Sequence, residues 1–209
     1  MDLEQPEAER RVRWSTLTEW VRARAEVAIG PVARLLGRWG VHPNSLTIVG
    51  CLLQVGVSAF FALGRIRWGG ALLLVFAPLD ALDGAVARAT GKVSVFGAFL
   101  DSTLDRLADA ALILGLAWHT ARQGAQLEAA LLLAGLVAAL MVSYTRARAE
   151  SLGISCKVGI VTRMERILLI GILSALGLVP VLAWALVALS LLTLFQRVAR
   201  VHACCSQVE

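Results

Sequence analysis

The chain has 209 residues, 58% of them hydrophobic and 17% charged, too little polar surface for a soluble domain of this length. Lys and Arg outnumber Asp and Glu by 20 to 15, but the basic residues are interleaved with apolar runs, which argues for membrane topology and against a nucleic-acid surface. The expected class is an all-α polytopic membrane protein built as one helical bundle.

Residues 1–14 are polar and contain no apolar core of a signal peptide, so no cleavable leader is expected and the first spanning helix serves as insertion signal. From Ser15 to Trp39, the apolar residues Leu17, Trp20, Val21, Ala25, Val27, Val32, Leu35 and Leu36 alternate with Arg22, Arg24, Arg34 and Arg38. This pattern predicts an interfacial amphipathic helix, broken or kinked near Gly30-Pro31. Residues 1–40 therefore form a polar N-terminus with an amphipathic helix, and 41–209 the transmembrane domain. A loop over 40–44 leads into the first span, with Asn44 or Ser45 as its N-cap. Six apolar stretches follow, near 45–63, 70–90, 97–119, 126–146, 164–179 and 181–199. They predict six transmembrane helices, the last two short and divided at Pro180. Brief connections favour antiparallel neighbours.

Charge orients the bundle. With the N-terminus in the cytoplasm, the basic residues from Arg10 to Arg38, then Arg88, Lys92, Arg146, Arg148, Lys157, Arg163, Arg166, Arg197 and Arg200, fall on that side. The opposite side receives Arg65, Arg67 and Arg122. Trp68, Trp118 and Trp184 fall at the predicted outer ends, as an interfacial aromatic belt does. Both termini are expected inside. Cys51, Cys156, Cys204 and Cys205 lack metal-ligand spacing and read as ordinary thiols. His42, His119 and His202 are isolated from one another.

The chemistry is concentrated in the acidic residues. Between residues 69 and 127 the only ones are Asp80, Asp83, Asp101, Asp105 and Asp109. Carboxylates at membrane depth normally face one another, a cavity or a metal. Asp80 and Asp83 share a helical face, as do Asp101 and Asp105. The short turn between them, with Gly91, Lys92 and Ser94, would bring the pairs together near the cytoplasmic ends. Four clustered carboxylates need compensating cations, and hard divalent ions with oxygen ligands, Mg²⁺ or Mn²⁺, are the natural counterpart. Gly84 and Gly97 leave room for phosphates or backbone to approach.

The pattern Asp80-x-x-Asp83-Gly84-x-x-Ala87-Arg88, eight residues, Gly97, three residues, Asp101, three residues, Asp105 resembles the full signature of the CDP-alcohol phosphotransferase family. The resemblance implies that a CDP-linked lipid, CDP-diacylglycerol or CDP-archaeol, donates its phosphatidyl or archaetidyl group to an alcohol and releases CMP. It further implies that Asp80, Asp83, Asp101 and Asp105 hold two metal ions, with Asp105 also the general base. Asp80, Gly84, Ala87, Arg88 and Gly97 would line the CDP pocket. Pro43-Asn44-Ser45-Leu46-Thr47 matches the family's Pro-Asn-x-x-Thr and adds Asn44 and Thr47 to donor binding. Asp109 lies outside the signature, one turn beyond Asp105, and reads as a hydrogen-bonding support. The family also implies a homodimer in a prokaryotic cell membrane with its active site facing the cytoplasm. Two other classes fit less well. Intramembrane prenyltransferases carry Asn-Asp motifs placed far apart, and an ion channel or transporter would not require Gly84, Ala87 and Arg88 at these spacings.

The acceptor is read from the later basic segments. Ser143-Tyr144-Thr145-Arg146-Ala147-Arg148-Ala149-Glu150, Gly159, Arg163-Met164-Glu165-Arg166 and Thr193-Leu194-Phe195-Gln196-Arg197 are similar to the corresponding regions of prokaryotic phosphatidylinositol-phosphate and archaetidylinositol-phosphate synthases. By that resemblance Arg146, Arg166 and Arg197 hold the acceptor's phosphate. Arg146 stands where Lys is frequent, which keeps the charge and changes the hydrogen-bonding fork. A cationic cluster implies a phosphorylated polyol, inositol phosphate first. Glycerol 3-phosphate, and with it a phosphatidylglycerophosphate synthase, is the alternative.

Overall fold

The computed structural model describes residues 30–156 and 158–206, with Asp80 by its backbone alone. The expected amphipathic helix from Ser15 lies outside the described residues except for its end. That end is helical as α1, residues 30–38. It is followed by α2 (Pro43–Ala62), α3 (Ile66–Phe76), α4 (Leu79–Thr90), α5 (Val95–Arg122), α6 (Gln126–Ser151), α7 (Arg163–Ala175) and α8 (Val179–Cys205). No strand occurs among the described residues.

Three boundaries differ from the sequence reading. Helix α2 begins at Pro43, and its N-cap is His42, whose Nδ1 accepts from the Asn44 amide at 3.3 Å, not Asn44 or Ser45. Proline at the first helical position has no N–H to satisfy and a φ already suited to the helix, so the start moves forward. The stretch expected as one helix over 70–90 is two, with Pro78 as the N-cap of α4. Proline removes the amide that would continue α3 and crowds the preceding turn. The last hairpin turns at Gly177 (φ 76°), not at Pro180, which sits inside the first turn of α8. A left-handed backbone suits glycine, whereas proline at a helix start is compatible with the helix.

Four stretches are long and apolar enough to cross a membrane: Pro43–Ala62, Ile66–Thr90, Gln126–Ser151 and Val179–Cys205. The other two expected spans do not qualify on length and composition. Helix α5 has 28 residues but carries Asp101, Asp105, Arg106 and Asp109 in its first half. Helix α7 has only 13 residues, about 20 Å at ~1.5 Å per residue.

The packing is that of a multi-pass helical membrane protein. α2 lies along α5, α6 along α8, and α3 along α7. Phe61, Leu73, Leu112, Leu116, Leu132, Ile170, Leu182 and Leu186 form the core. Leu52, Leu114, Leu133, Val137, Leu191 and Leu192 are exposed, while Gln54, Ser174, Ser190 and Thr193 are buried. That inversion is what a lipid solvent allows, because leucine gains little by hiding from hydrocarbon and polar groups need protein partners. Small residues set the closest crossings. A Cβ on Gly115 would stand 2.4 Å from the Ser58 carbonyl oxygen, and one on Gly70 would stand 2.3 Å from the Ala175 amide nitrogen.

Candidate active site

The aspartate frame is assembled on α2. Helices α4 and α5 both pack against α2. The two aspartate segments therefore both lie against the N-terminal half of α2. Asp83 is buried, and its Oδ2 accepts from the Thr47 hydroxyl at 2.6 Å while its Oδ1 accepts from the Gly84 amide at 2.6 Å. Thr47 thus ties α2 to α4. Asn44, three residues earlier, faces α5: a Cβ on Gly97 would lie 3.2 Å from Asn44 Oδ1. Ser94 caps α5 by accepting from the Gly97 amide at 3.0 Å. Arg88 arches back toward Gly84, its Nη1 lying 3.4 Å from where a Cβ there would be. Ala87 is half-buried on the same helix.

Asp101 and Asp105 lie on the inner part of α5, and each is within electrostatic reach of Asp83. Asp80 occupies the first turn of α4 by its backbone. Among the described residues no three acidic, histidine or cysteine side chains already form a metal-sized group. The donor set nevertheless suits a hard cation. Every candidate ligand is a carboxylate, and a carboxylate has about four lone-pair sites, of which Asp83 uses one on each oxygen. Arg106 lies within electrostatic reach of Asp101 and Asp105, and Arg163 pairs with Asp105; carboxylates this close suit a hard divalent ion.

A buried ion-pair network stands behind the frame. Arg163 Nη1 lies 3.0 Å from Asp105 Oδ1, and its Nε lies 3.6 Å from Asp109 Oδ1. Arg166 donates to Asp109 Oδ2 through Nε at 3.1 Å and through Nη2, with both side chains 3% exposed. Their placement on α7 is fixed by a capping box, in which Glu165 Oε2 accepts from the Thr162 amide at 2.8 Å. Sequence reading missed Arg163 as a site residue, assigning it to topology. The available signal was the Arg-x-x-Arg spacing behind Thr162-x-x-Glu165, which matches the Asp105/Asp109 stripe one helix away.

The predicted acceptor arginines differ in setting. Arg197 is buried and donates through Nε to the Val158 carbonyl at 3.0 Å and through Nη1 to the Val142 carbonyl at 2.5 Å. Thr193 and Gln196, on the same helix, accept from the amides of Val161 and Ile160 at 3.1 and 3.2 Å. The Thr193–Arg197 segment thereby pins the α6–α7 loop. Arg146 is exposed and pairs with Glu150 at 2.8 Å. Arg146 and Arg166 each lie within electrostatic reach of Arg197. Arg166 and Arg197 each retain N–H donors beyond those used, since a guanidinium carries five.

A family model described as CDP-alcohol phosphatidyltransferase matches residues 40–196. The chain is 41% identical over 179 residues to an archaetidylinositol phosphate synthase of Pyrococcus horikoshii, covering 85% of this chain and 93% of that one. It is 35% identical over 201 residues to a phosphatidylinositol phosphate synthase of Streptomyces avermitilis, covering 89% and 82%. The fold superposes with a TM-score of 0.77 and 32% identity on Mycobacterium tuberculosis phosphatidylinositol phosphate synthase with CDP-DAG bound, covering 83% of this chain and 92% of that one. A second structure of that enzyme, in complex with manganese and citrate, gives a TM-score of 0.75 at 32% identity over 83% and 88% of the two chains.

Proposed function

Since the chain belongs to the CDP-alcohol phosphatidyltransferase family, we propose that it transfers the phosphatidyl or archaetidyl group of a CDP-lipid to a hydroxyl of inositol phosphate, releasing CMP. The observation that carries the acceptor is the set of basic residues Arg146, Arg166 and Arg197 on α6, α7 and α8, the first two each within electrostatic reach of Arg197. A free polyol offers such a set no charge to neutralise, whereas a phosphate monoester does. The relatives' names point the same way.

In this reading Asp105 takes the proton of the attacking hydroxyl, because an alcohol is a weak nucleophile at neutral pH. The alkoxide oxygen forms a bond to the lipid-side phosphorus, the bond from that phosphorus to the bridging oxygen breaks, and CMP leaves with the electron pair. Asp80, Asp83, Asp101 and Asp105 would hold the divalent ions, Mg²⁺ or Mn²⁺, whose chemistry is to offset charge on the pyrophosphate and the departing CMP. Thr47 positions Asp83 through its hydrogen bond. Gly84, Ala87, Arg88, Gly97 and Asn44 would border the CDP moiety. Arg166 and Arg197 are oriented by Asp109 and by backbone carbonyls before any substrate arrives, which lowers the ordering cost of binding.

The same reading makes α5 and α7 spans as well, giving six with an interfacial helix ahead of them, both termini and the aspartates on the cytoplasmic side of a prokaryotic membrane, and a homodimer. In α5 Asp105 and Asp109 pair with Arg163 and Arg166 of α7, and α7 is short but packed between α3 and α8. The deciding experiment supplies membranes containing the protein with a CDP-lipid and, separately, inositol phosphate, inositol and glycerol 3-phosphate, and follows CMP release. Inositol phosphate should give the fastest release. Preference for glycerol 3-phosphate would overturn the acceptor and leave the aspartate chemistry standing.

A further inference from the structure

At the end of the bundle away from the aspartates, the α2–α3, α5–α6 and α7–α8 turns surround a cavity of about 700 Å³. Arg65, Arg67, His119 and Glu128 line it, and none of them belongs to the site described above. Among the described residues, neither arginine nor Glu128 takes part in an ion pair. Two cations and one carboxylate leave the cavity with a net positive charge.

The backbone around it adds donors more than acceptors. At each turn the chain folds back on carbonyls of the helix that ends: Arg65 donates to Phe60 at 2.9 Å, Ala125 to Thr120 at 3.2 Å and Leu178 to Leu173 at 2.8 Å. The helices that begin there, α3, α6 and α8, have no side-chain cap on their first amides. Exposed Trp68, Trp118 and Trp184 ring the same end, the arrangement that marks headgroup depth in a bilayer. The cavity therefore opens where lipid phosphates lie, and its volume is that of a small organic group and not of a single anion.

We propose that this cavity binds the phosphodiester headgroup of a phospholipid from the leaflet opposite the active site, through Arg65 and Arg67. Glu128 sits in the first turn of α6, where the helix end offsets part of its charge. It favours a singly charged diester over a doubly charged monoester.

The test uses the full chain purified in a neutral detergent, exchanged with phosphatidylglycerol, with retained lipid read by native mass spectrometry. Wild type should retain the phospholipid and not diacylglycerol, which has the chains without the phosphate. The Arg65→Ala/Arg67→Ala variant should lose about tenfold or more in affinity, since each arginine at a lipid surface is worth roughly a factor of five. Arg65→Lys/Arg67→Lys should recover part of the loss. Glu128→Gln should tighten binding by about fivefold, an effect that a merely structural role for the residue would not produce. CMP release measured in the same detergent should not change in any of these variants. Equal retention of diacylglycerol, or retention indifferent to the two arginines, overturns the site. Inorganic phosphate binding alone as tightly as the phospholipid would overturn the lipid source and assign the cavity to free phosphate.

Discussion

Removing Arg166 alone should destabilise the protein more than removing Arg166 and Asp109 together. Both side chains are 3% exposed, and two guanidinium nitrogens of Arg166 reach one carboxylate oxygen of Asp109. Arg166→Met leaves a carboxylate inside the bundle with Arg163 Nε 3.6 Å from its other oxygen and Arg106 within electrostatic reach. Breaking a buried pair from one side costs about 3–5 kcal/mol, and the residual Arg163 contact argues for the lower figure. For a chain of this size ~3 kcal/mol corresponds to a melting temperature about 6–12 °C lower. Asp109→Leu/Arg166→Met removes both charges and should recover most of that loss, because apolar replacement of a buried pair is close to neutral. Thermal denaturation of the detergent-solubilised variants, followed by tryptophan fluorescence, measures the cycle. Additive losses in the two singles and the double would refute the coupling. The folded double variant then isolates chemistry from stability: if Arg166 also binds the acceptor phosphate, its KM for inositol phosphate should be about 10–100-fold higher, as expected for one lost charge-assisted bond.

Three further outcomes follow from the site. Asp101→Asn should insert and fold normally yet lose nearly all turnover, with partial recovery at best on adding Mg²⁺ or Mn²⁺; substantial CMP release in the presence of a chelator would contradict the metal assignment. Asp105→Asn should bind the CDP-lipid while its turnover falls by about 10²–10⁴-fold, the usual effect of losing a general base; collapse of donor affinity with turnover preserved at saturation would make the residue a ligand only. Arg197→Ala should raise the acceptor KM by about 10–100-fold with little change for the CDP-lipid, whereas exposed Arg200→Ala should alter neither; equal use of free inositol and inositol phosphate would remove the reason for a cationic site.

What the chain discloses in one dimension depends on how local each feature is. Asp80 through Asp105 occupy two consecutive helices and obey helical spacing, so the faces they share were legible from sequence. The manner of clustering was not, because α2 brings the two segments together, and the hydrogen bond from Thr47 to Asp83 crosses 36 positions. The helix starts at Pro43 and Pro78 were misread for opposite reasons. Proline is favoured in the first turn and forbidden in an interior, and an apolar run over 70–90 hides which of the two it is. Arg163 and Arg166 carried the same difficulty further. Positive-inside topology explains any cytoplasmic arginine, so their positions said nothing about a partner on α5, and only the packed structure separates Arg166, locked to a carboxylate 57 residues away, from exposed Arg148. The cavity at the far end was invisible for the converse reason: Arg65 and Arg67 come from one turn and Glu128 from another, with no shared motif. In this fold, spacing along two consecutive helices can be read directly, while the arginines beside them acquire meaning only from what they face.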